Sequence, residues 1–537
     1  MILAGCSDGG RPSPEPEIIF TTSGPPPPSP TSKGFRDVTD ASGIAFTVGY
    51  LSAMSNPEVP QIRGDRAANL LYRNDGNLVF TNVAEAAGVA HTRSNNRVWR
   101  HSSPAFADLD GDADLDLLIP GLDGDPTLLL ANQGDGTFVD QTAGSGFDTM
   151  TARFTLSTAL GDYDRDGDLD VLFGHWGTPR NLVAGPGDTE HLWRNESSAG
   201  QLRFRSVSSE AGISPSIMTN DDPLITQRAF DNTFTPTFAN INDDPWPDIL
   251  IAGDFNFSQY FMNLQDGTFL NATDFNVIID GNGMGSAVGD YDGDGDVDWF
   301  VSSIMAVGDE SMPAHLSRIG NRLYRNDDGM FYDATDEAEV ASGGWGWGSC
   351  FMDFNNDGNL DLYQTNGWLD FAEYGDFDAD ATRAFLSDGD GTFVESAEAL
   401  GLDDTEQGRG VVCADLDKDG DADILQLHMG GLNAATLWMN ESDNNFLTVT
   451  LRGKPPNTQA IGARIVAGVG GRDRLRAVNL GSNFASHNPP VQIFGLGTSS
   501  QVDTLTVYWP DGRKTLMRAI GANQHLVVEH PALIPAP

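Results

Sequence analysis

Asp162-Tyr-Asp-Arg-Asp-Gly-Asp-Leu-Asp170 is one of six acidic segments with the spacing D-x-[DN]-x-[DN]-x-x-x-D, one of which begins with Asn instead of Asp. Isolated carboxylates at this density would repel each other. The spacing instead places the oxygens of positions 1, 3, 5 and 9, and the main-chain carbonyl of position 7, around one hard cation. The sequence therefore predicts about six Ca²⁺ sites.

Each segment contributes five candidate metal-binding residues, with position 7 included for its carbonyl. In chain order the six sets are Asp108, Asp110, Asp112, Asp114 and Asp116; Asp162, Asp164, Asp166, Asp168 and Asp170; Asn240, Asn242, Asp244, Trp246 and Asp248; Asp290, Asp292, Asp294, Asp296 and Asp298; Asp353, Asn355, Asp357, Asn359 and Asp361; and Asp415, Asp417, Asp419, Asp421 and Asp423. We number the segments loops one to six in this order.

The loops differ from EF-hands. An EF-hand needs a bidentate Glu at position 12 and a helix after it. Position 12 here is apolar or Gln, as in Phe173 and Gln364, within runs such as Asp170-Val-Leu-Phe-Gly174 that are typical of buried strands. Each loop is therefore predicted to join two β-strands.

Composition limits the fold class and the partners. A chain of 537 residues is too long for one ordinary core, which favours a large repeat domain plus a smaller one. Its 61 glycines and the lack of a long helical pattern favour an all-β class with many tight turns. The net charge of −46 argues against nucleic acid or an anionic membrane surface as a partner.

The loops mark a repeat with the period of a propeller blade. Strand a precedes each loop, strand b follows it, strand c mostly ends at Asn, and strand d follows a turn. This c–d turn recurs seven times, which predicts seven blades, the first of them (roughly residues 45–90) without an ion; the turn positions are Asn74, Asn132, Asn195, Asn263, Asn326, Ser387 and Asn440.

The two ends of the repeat region are complementary. The segment from Gly34 to Ile44 copies a d strand, whereas the last repeat, residues 408–440, has strands a, b and c only. Pairing the N-terminal strand, around Phe35 to Val38, with the last blade would close the ring and remove an open sheet edge. The predicted fold class is therefore all-β: a seven-bladed β-propeller with calcium-binding loops, plus a small C-terminal β domain.

Three regions are predicted. Residues 1–33 hold a lipobox-like start and a Pro-rich disordered spacer, residues 34–444 the propeller, and residues 445–537 the C-terminal β domain. Almost no linker separates Asn440 from the C-terminal domain, so we expect the domain to dock rigidly on the last blade.

The three cysteines have different predicted roles. Cys350 and Cys413 occupy strand positions that other repeats fill with small or apolar residues, which predicts simple packing. Leu3-Ala-Gly-Cys6 resembles the lipobox of bacterial lipoproteins, so Cys6 is a candidate lipidation site and the predicted route to a membrane. The Pro-rich run that follows suits a tether and equally an ordinary linker.

Loops of this spacing within Gly-rich β repeats resemble the FG-GAP/VCBS repeats of integrin α-chain propellers. Downstream, Ile461-Gly-Ala-Arg-Ile465, Gly481-Ser-Asn-Phe-Ala-Ser486 and Trp509-Pro-Asp-Gly512 resemble the ASPIC/UnbV domain. The two regions together resemble cartilage acidic protein-like proteins, over roughly residues 34–532. The resemblance implies a calcium-binding propeller and leaves the function open, because such propellers serve as adhesion receptors, lectins and, less often, enzymes.

Two loops depart from the family pattern. Loop one has Ala113 in place of the turn glycine. Loop three has Pro245 there, together with the neutral ligands Asn240 and Asn242. Site three should therefore bind its ion most weakly.

The face opposite the loops is the predicted partner site, because the long b–c and d–a connections emerge there. Aromatic side chains with polar neighbours can stack on sugars or grip a peptide. The alternative is that these rings pack in the central channel. The candidate ligand-binding residues are His175, Trp176, Trp345, Trp347, Trp368 and Tyr374.

The sequence contains no common linear catalytic motif, and the paired carboxylates are accounted for as metal ligands. The leading hypothesis is a non-enzymatic calcium-stabilised protein that binds an extracellular carbohydrate or protein or assembles with itself. A sugar-directed lyase or dehydratase and a structural fibre subunit are the alternatives. The predicted location is the bacterial outer membrane or cell surface, through a lipid anchor, or the secreted fraction.

Overall fold

The structure is a computed structural model that describes residues 19–21, 34–42, 69–76, 78–91, 100–122, 125–150, 154–178, 190–213, 231–305, 319–368, 377–429 and 435–534. The N-terminal part contributes strands β1 (Ile19–Thr21) and β2 (Phe35–Asp37) and helix α1 (Thr39–Ser42). Cys6 and Tyr374 lie outside the described residues. Among the residues that are described, no helix has the length and apolar character needed to cross a membrane.

Successive antiparallel sheets of the propeller follow, and each one after the first hairpin is built around one or two acidic loops. The first is the hairpin of β3 (Tyr72–Asn74) and β4 (Phe80–Asn82), which has the c and d strands of blade one. Its predicted inner strands would fall on residues 43–68, outside the described part. Blade two contains β5 (Ala105–Ala107), β6 (Asp116–Ile119), β7 (Leu128–Asn132) and β8 (Phe138–Asp140).

Blades three and four share a sheet, because the end of β10 also pairs with β13. A short 3₁₀ helix, Phe147–Thr149, precedes blade three. The strands are β9 (Thr155–Gly161), β10 (Asp170–Thr178), β11 (Leu192–Asn195) and β12 (Phe204–Ser206), then β13 (Asp231–Ala239), β14 (Asp248–Gly253), β15 (Gln259–Asn263) and β16 (Phe269–Asn271).

Blades five and six repeat the four-stranded pattern, and blade six ends in the one-turn helix α2 (Ala397–Leu400). Their strands are β17 (Ser286–Gly289), β18 (Asp298–Val301), β19 (Arg322–Asp327) and β20 (Met330–Asp333), then β21 (Gly346–Met352), β22 (Asp361–Asn366), β23 (Arg383–Ser387) and β24 (Phe393–Glu395).

Blade seven is completed by the N-terminal strand, as the sequence predicted. Its own strands are β25 (Gly408–Ala414), β26 (Asp423–His428) and β27 (Ala435–Asn440). The outer position is taken by β2, which runs antiparallel to β27 with Phe35 opposite Asn440 and Asp37 opposite Trp438. The β-propeller fold is confirmed, and the described residues form six four-stranded blades and one hairpin.

The C-terminal domain contains two small sheets. One has the order β1-β33-β32-β29-β30 and the other β31-β28-β34. The strands are β28 (Asn445–Arg452), β29 (Arg464–Val469), β30 (Arg472–Ala477), β31 (Gln492–Gly497), β32 (Gln501–Tyr508), β33 (Lys514–Gly521) and β34 (Gln524–Glu529). Because β1 joins this domain, the prediction of disorder throughout the N-terminal spacer was wrong at Ile19–Thr21.

The prediction that this domain docks on the last blade was too narrow. The domain covers the rim formed by the a–b loops. Its residues 478–491, which we name the plug loop, lie along the innermost strands of the propeller. The main chain of Leu480 accepts a hydrogen bond from the Leu160 N–H, and the Ser157 hydroxyl accepts one from the Ala485 N–H. Phe484 then meets Phe234, with ring centroids 5.7 Å apart. The plug loop therefore fills the channel from the loop side.

The cysteine prediction was incomplete. Cys350 and Cys413 are buried as predicted, but they form a disulfide that joins the innermost strands of blades six and seven, β21 and β25. Adjacent blades place their inner strands side by side, a proximity that the sequence separation of 63 residues hides.

Removing residues 1–42 should leave β27 as an open edge, which promotes intermolecular strand pairing. We expect self-association in size-exclusion chromatography with light scattering, together with a lower melting temperature. Removal of residues 1–18 alone, which keeps β1 and β2, is the matched control. A monomer with unchanged melting after the longer deletion would show that β2 does not close the ring.

Replacing Cys350 and Cys413 together by Ala should lower the free energy of unfolding by about 4 kcal/mol, because the crosslink restrains a loop of 63 residues in the unfolded chain. Denaturant titration measures this loss. Thiol labelling of the denatured, unreduced wild type should leave both cysteines unmodified. Labelling of either one would contradict the disulfide.

Candidate metal centres

The ninth residue of every loop is an Asp that is fully buried at the start of strand b. In loop two, Asp170 Oδ2 accepts a hydrogen bond from the Tyr163 N–H at 3.1 Å, and Oδ1 accepts one from the Asn195 N–H at 2.8 Å. The corresponding pair recurs in the other five loops. One carboxylate therefore fastens the loop to both strand b and strand c.

The Asn at the end of strand c extends this arrangement to the neighbouring blade. Asn195 Nδ2 donates to the carbonyl of Leu169 in its own loop and to that of Leu109 in the preceding loop. Asn263, Asn326 and Asn440 repeat the contact with the preceding loop. In blade one, Asn74 Nδ2 reaches the Leu416 carbonyl of loop six at 2.9 Å. That bond places the first hairpin beside blade seven, as a closed ring requires.

Tight backbone turns bring the loop side chains together. Positions 4 and 6 of loop two, Arg165 and Gly167, have φ values of 58° and 103°. Loop one departs as the sequence indicated, since Ala113 takes φ 77° at a place that suits glycine. Pro245 cannot adopt positive φ, so loop three has only Asp243 in that region, at φ 59°.

Four loops bring three carboxylates into one cluster. Within each cluster, ligand oxygens lie within 4.8 Å of one another. The clusters are Asp108, Asp110 and Asp116; Asp162, Asp164 and Asp170; Asp290, Asp292 and Asp294; and Asp415, Asp417 and Asp423. These residues occupy positions 1, 3 and 9 in three loops and positions 1, 3 and 5 in loop four. Within the described residues, loops three and five, where Asn replaces Asp, form no such group.

Unsatisfied oxygens occur in three loops, two of which contain these clusters. Of the position 1 side chains in the described part, Asp162 Oδ1, Asn240 Oδ1 and Asp415 Oδ1 are buried and have no hydrogen-bond partner. A buried oxygen without a partner is costly unless a cation or water fills the place. These oxygens, beside further carboxylates, fit a hard divalent cation.

The electrostatics of the loops also favour a cation. Burial, followed by the repulsion of neighbouring carboxylates, raises the pKa of Asp162 to about 7. Burial and nearby Asp419 raise the pKa of Asp421 to about 8. Burial raises the pKa of Asp353 in loop five to about 7, although Arg476 opposes the shift. Several carboxylates therefore resist ionisation in the absence of a positive ion.

The C-terminal domain contacts all six loops, which the sequence did not reveal. Thr458 Oγ1 donates to Asp108 in loop one, and the Gly495 N–H donates to Asp353 in loop five. The remaining contacts pair Arg165 with Pro510, Arg464 with Asp243 and Gly295, Arg474 with Asp357, and His525 with Lys418. No local sequence signal links these residues to the loops, because the contacts depend on how the domain docks.

The candidate aromatic residues lie mainly inside the channel. Trp345 and Trp368 stack with centroids 5.2 Å apart and are 9% and 5% exposed, and Trp347 is fully buried. The Arg409 guanidinium lies 4.2 Å from the Trp347 ring centroid. Phe484 of the plug loop packs on the same ring. These contacts favour packing over ligand contact for the three tryptophans.

His175 and Trp176 lie at the edge of this cluster. His175 is fully buried, with Nδ1 beside the Thr155 hydroxyl and Nε2 donating to the Glu190 carbonyl. Trp176 is half-buried and donates from Nε1 to Asp254. Burial of His175 removes it from any exposed surface. Trp176 is the one predicted aromatic of this face that the described residues leave partly exposed.

Comparison with known families agrees with this architecture. Residues 108–173, 240–301, 306–363 and 365–425 match the FG-GAP-like repeat model, and residues 453–534 match the ASPIC and UnbV model. The chain is therefore an FG-GAP-like repeat propeller with an ASPIC/UnbV region, which confirms the resemblance seen in the sequence.

The curated relatives that match are cartilage acidic protein 1 sequences. The Xenopus tropicalis protein is 30% identical over 274 residues, which cover 49% of this chain and 37% of the relative. The Homo sapiens protein is 29% identical over 217 residues, covering 37% of this chain and 27% of the relative. The chain thus spans about a third of the length of these relatives.

Two solved structures show a distant likeness. An Agrocybe aegerita lectin described as recognising non-reducing terminal N-acetylglucosamine has a TM-score of 0.36 and 17% identity, over 64% of this chain and 81% of the lectin. A rhamnogalacturonan lyase has a TM-score of 0.31 and 14% identity, over 65% of this chain and 73% of the lyase. Likeness at this level does not identify a function.

In the presence of a chelator, we expect stability to fall as pH rises. The pKa of Asp162 lies at about 7 in the fold against 3.8 ordinarily, so the folded state holds more protons than the unfolded state between these values. Thermal melting across this pH range measures the slope. Saturating Ca²⁺ should abolish the loss at neutral pH, because the ion stabilises the ionised form.

The variant Asp162→Asn provides a crossed control. In chelator it should melt at a higher temperature than the wild type, because it removes the repulsion between the loop carboxylates. The expected gain in the free energy of unfolding is on the order of 2 kcal/mol. In Ca²⁺ it should melt lower, since it replaces a charged ligand with a neutral one. Equal effects in both conditions would contradict a metal-binding role for loop two.

Proposed function

We propose that this chain is a calcium-stabilised extracellular binding protein whose propeller presents a rigid surface to a carbohydrate or protein partner. The observation that carries the proposal is the convergence of three carboxylates on one centre in four loops, with unsatisfied position 1 oxygens in two of those loops. Such centres serve stability, because they lie at the turns that fix each blade.

The donor set favours Ca²⁺ over other metals. The predicted ligands are oxygens only, and the loops contain neither the Cys nor the His that zinc sites favour. Ca²⁺ accepts six to eight oxygens in flexible geometry, whereas Mg²⁺ demands a near-ideal octahedron. We propose ions in all six loops, with the weakest at loop three, where Asn240 and Asn242 are neutral. Loop five, packed beneath Arg474, should also bind weakly.

An extracellular location follows from the same chemistry. Extracellular modules bind Ca²⁺ with dissociation constants of roughly 10⁻⁴ to 10⁻³ M, which suits sites built into a fold. The Cys350–Cys413 disulfide is expected in an oxidising compartment. We propose secretion or attachment to the cell surface through a lipid on Cys6.

A binding role is proposed in preference to catalysis. The loop carboxylates are proposed to bind ions, so they are not free general acids or bases. The C-terminal domain also closes the loop rim and fills the channel. Among the described residues, the side surfaces between blades and the partly exposed region near Trp176 are open to a partner.

Metal analysis of protein dialysed to equilibrium against Ca²⁺ well above the dissociation constants of extracellular modules, with the ion content of the dialysate subtracted, tests the proposal. We expect about six ions per chain, from the six loops. Asp415→Ala, which removes the position 1 ligand, should lower that count by one, whereas Asp390→Ala, at an exposed c–d turn outside the loops, should not change it. A count of one or none, with melting unaffected by chelator, would overturn the calcium proposal.

A further inference from the structure

A pocket of about 440 Å³ lies between blades three and four, beside the rim that carries loops two and three. This volume falls within the range of small-molecule sites. Blade three supplies most of the lining from loop two, β11, β12 and the segment after β12, and blade four supplies loop three and its c–d turn. The lining is Tyr163, Asp164, Arg194, Arg205, Val207, Glu210, Ala211, Trp246, Gln265, Asp266, Gly267 and Thr268.

Trp246 distinguishes this pocket from the rest of the rim. It occupies position 7 of loop three, where each of the other five loops has Asp or Asn. In blade five the equivalent Asp296 accepts a hydrogen bond from the N–H of Asp328 in its own c–d turn. The indole cannot accept that bond. It instead lines the pocket, half-buried, with Arg165 5.4 Å from its ring centroid.

The polar groups of the pocket are paired with one another or with neighbouring side chains. Arg205 donates to Glu196 at 2.9 Å and to both oxygens of Glu210. Arg194 lies 3.7 Å from Asp164, and Gln265 donates to Asp244 at 3.0 Å. Pairing leaves these planar groups with spare donors and acceptors, since a guanidinium carries five N–H groups and a carboxylate four acceptor sites.

The balance of charge decides the kind of ligand. Arg194 and Arg205 face Asp164, Glu210 and Asp266, so the lining is close to neutral. The whole chain carries −46, which repels polyanions. An indole together with paired donors and acceptors matches a molecule that has an apolar C–H face and adjacent hydroxyl groups.

We propose that this pocket binds a neutral saccharide unit, which stacks on Trp246 and hydrogen-bonds to Arg194, Glu210 and Gln265. The inference rests on the proposed binding function and names its site and ligand class. It also moves that site away from the channel aromatics to the side of the propeller.

Saturation-transfer-difference NMR on the full chain in Ca²⁺ tests the proposal with glucose, galactose, mannose, rhamnose, N-acetylglucosamine and glucuronic acid as probes. We expect at least one neutral sugar to receive saturation. Trp246→Asp, which restores the residue type of the other loops, should weaken its binding at least tenfold. Tyr332→Ala, at an exposed aromatic in blade five, is the control that should bind as the wild type does.

The outcomes separate this inference from the calcium proposal. Absence of saturation transfer to every neutral sugar, or binding that Trp246→Asp leaves unchanged, overturns the saccharide site. Binding of glucuronic acid alone also overturns it and makes the arginines an anion site. Trp246→Asp keeps the main-chain carbonyl that position 7 of loop three would offer to an ion, and metal analysis of the variant beside the wild type distinguishes a lost ion from a lost sugar site. Failure of the calcium proposal would appear in the wild type's metal analysis.

Discussion

One buried carboxylate holds together each blade that carries an acidic loop. The Asp at position 9 of a loop lies where strands a, b and c meet, and it accepts one N–H from the loop and one from the end of strand c. Desolvation makes this costly, and the pKa of Asp170 is accordingly held well above its ordinary value. The neighbouring loop oxygens add to the cost. A divalent cation in the same place would offset both, so the metal centre and the blade geometry depend on each other.

The C-terminal domain makes the rim a single structural unit. Its contacts reach every loop, and its plug loop passes along the inner strands to the aromatic cluster near Trp347. A structural change at one loop therefore acts on a domain that also contacts the other five loops. Position 7 of loop three, where Trp246 stands in place of the Asp or Asn of the other loops, lines the pocket between blades three and four.

Much of this arrangement could be predicted from the sequence, because it repeats. The loop spacing, the strand order and the pairing of β2 with β27 all follow from local patterns that recur along the chain. Structural features that occur only once in the chain could not be predicted in this way. Three such features are the Cys350–Cys413 bond, the plug loop and the pocket at Trp246. Each joins segments far apart in sequence, and no repeated sequence pattern predicts it. The channel tryptophans were open to either interpretation, because aromatic residues suit both cores and binding surfaces.

The closure of the ring has a consequence for biosynthesis. Arg36 bonds to Glu441 across 405 residues, so the first strand of the propeller is made long before its partner. Blades two to six can form in turn as the chain emerges, each from contiguous sequence. The last blade must wait, and the plug loop is made later still. Until then the nascent chain carries an unfilled sheet edge and an open channel, a state in which a chaperone or rapid export would protect it.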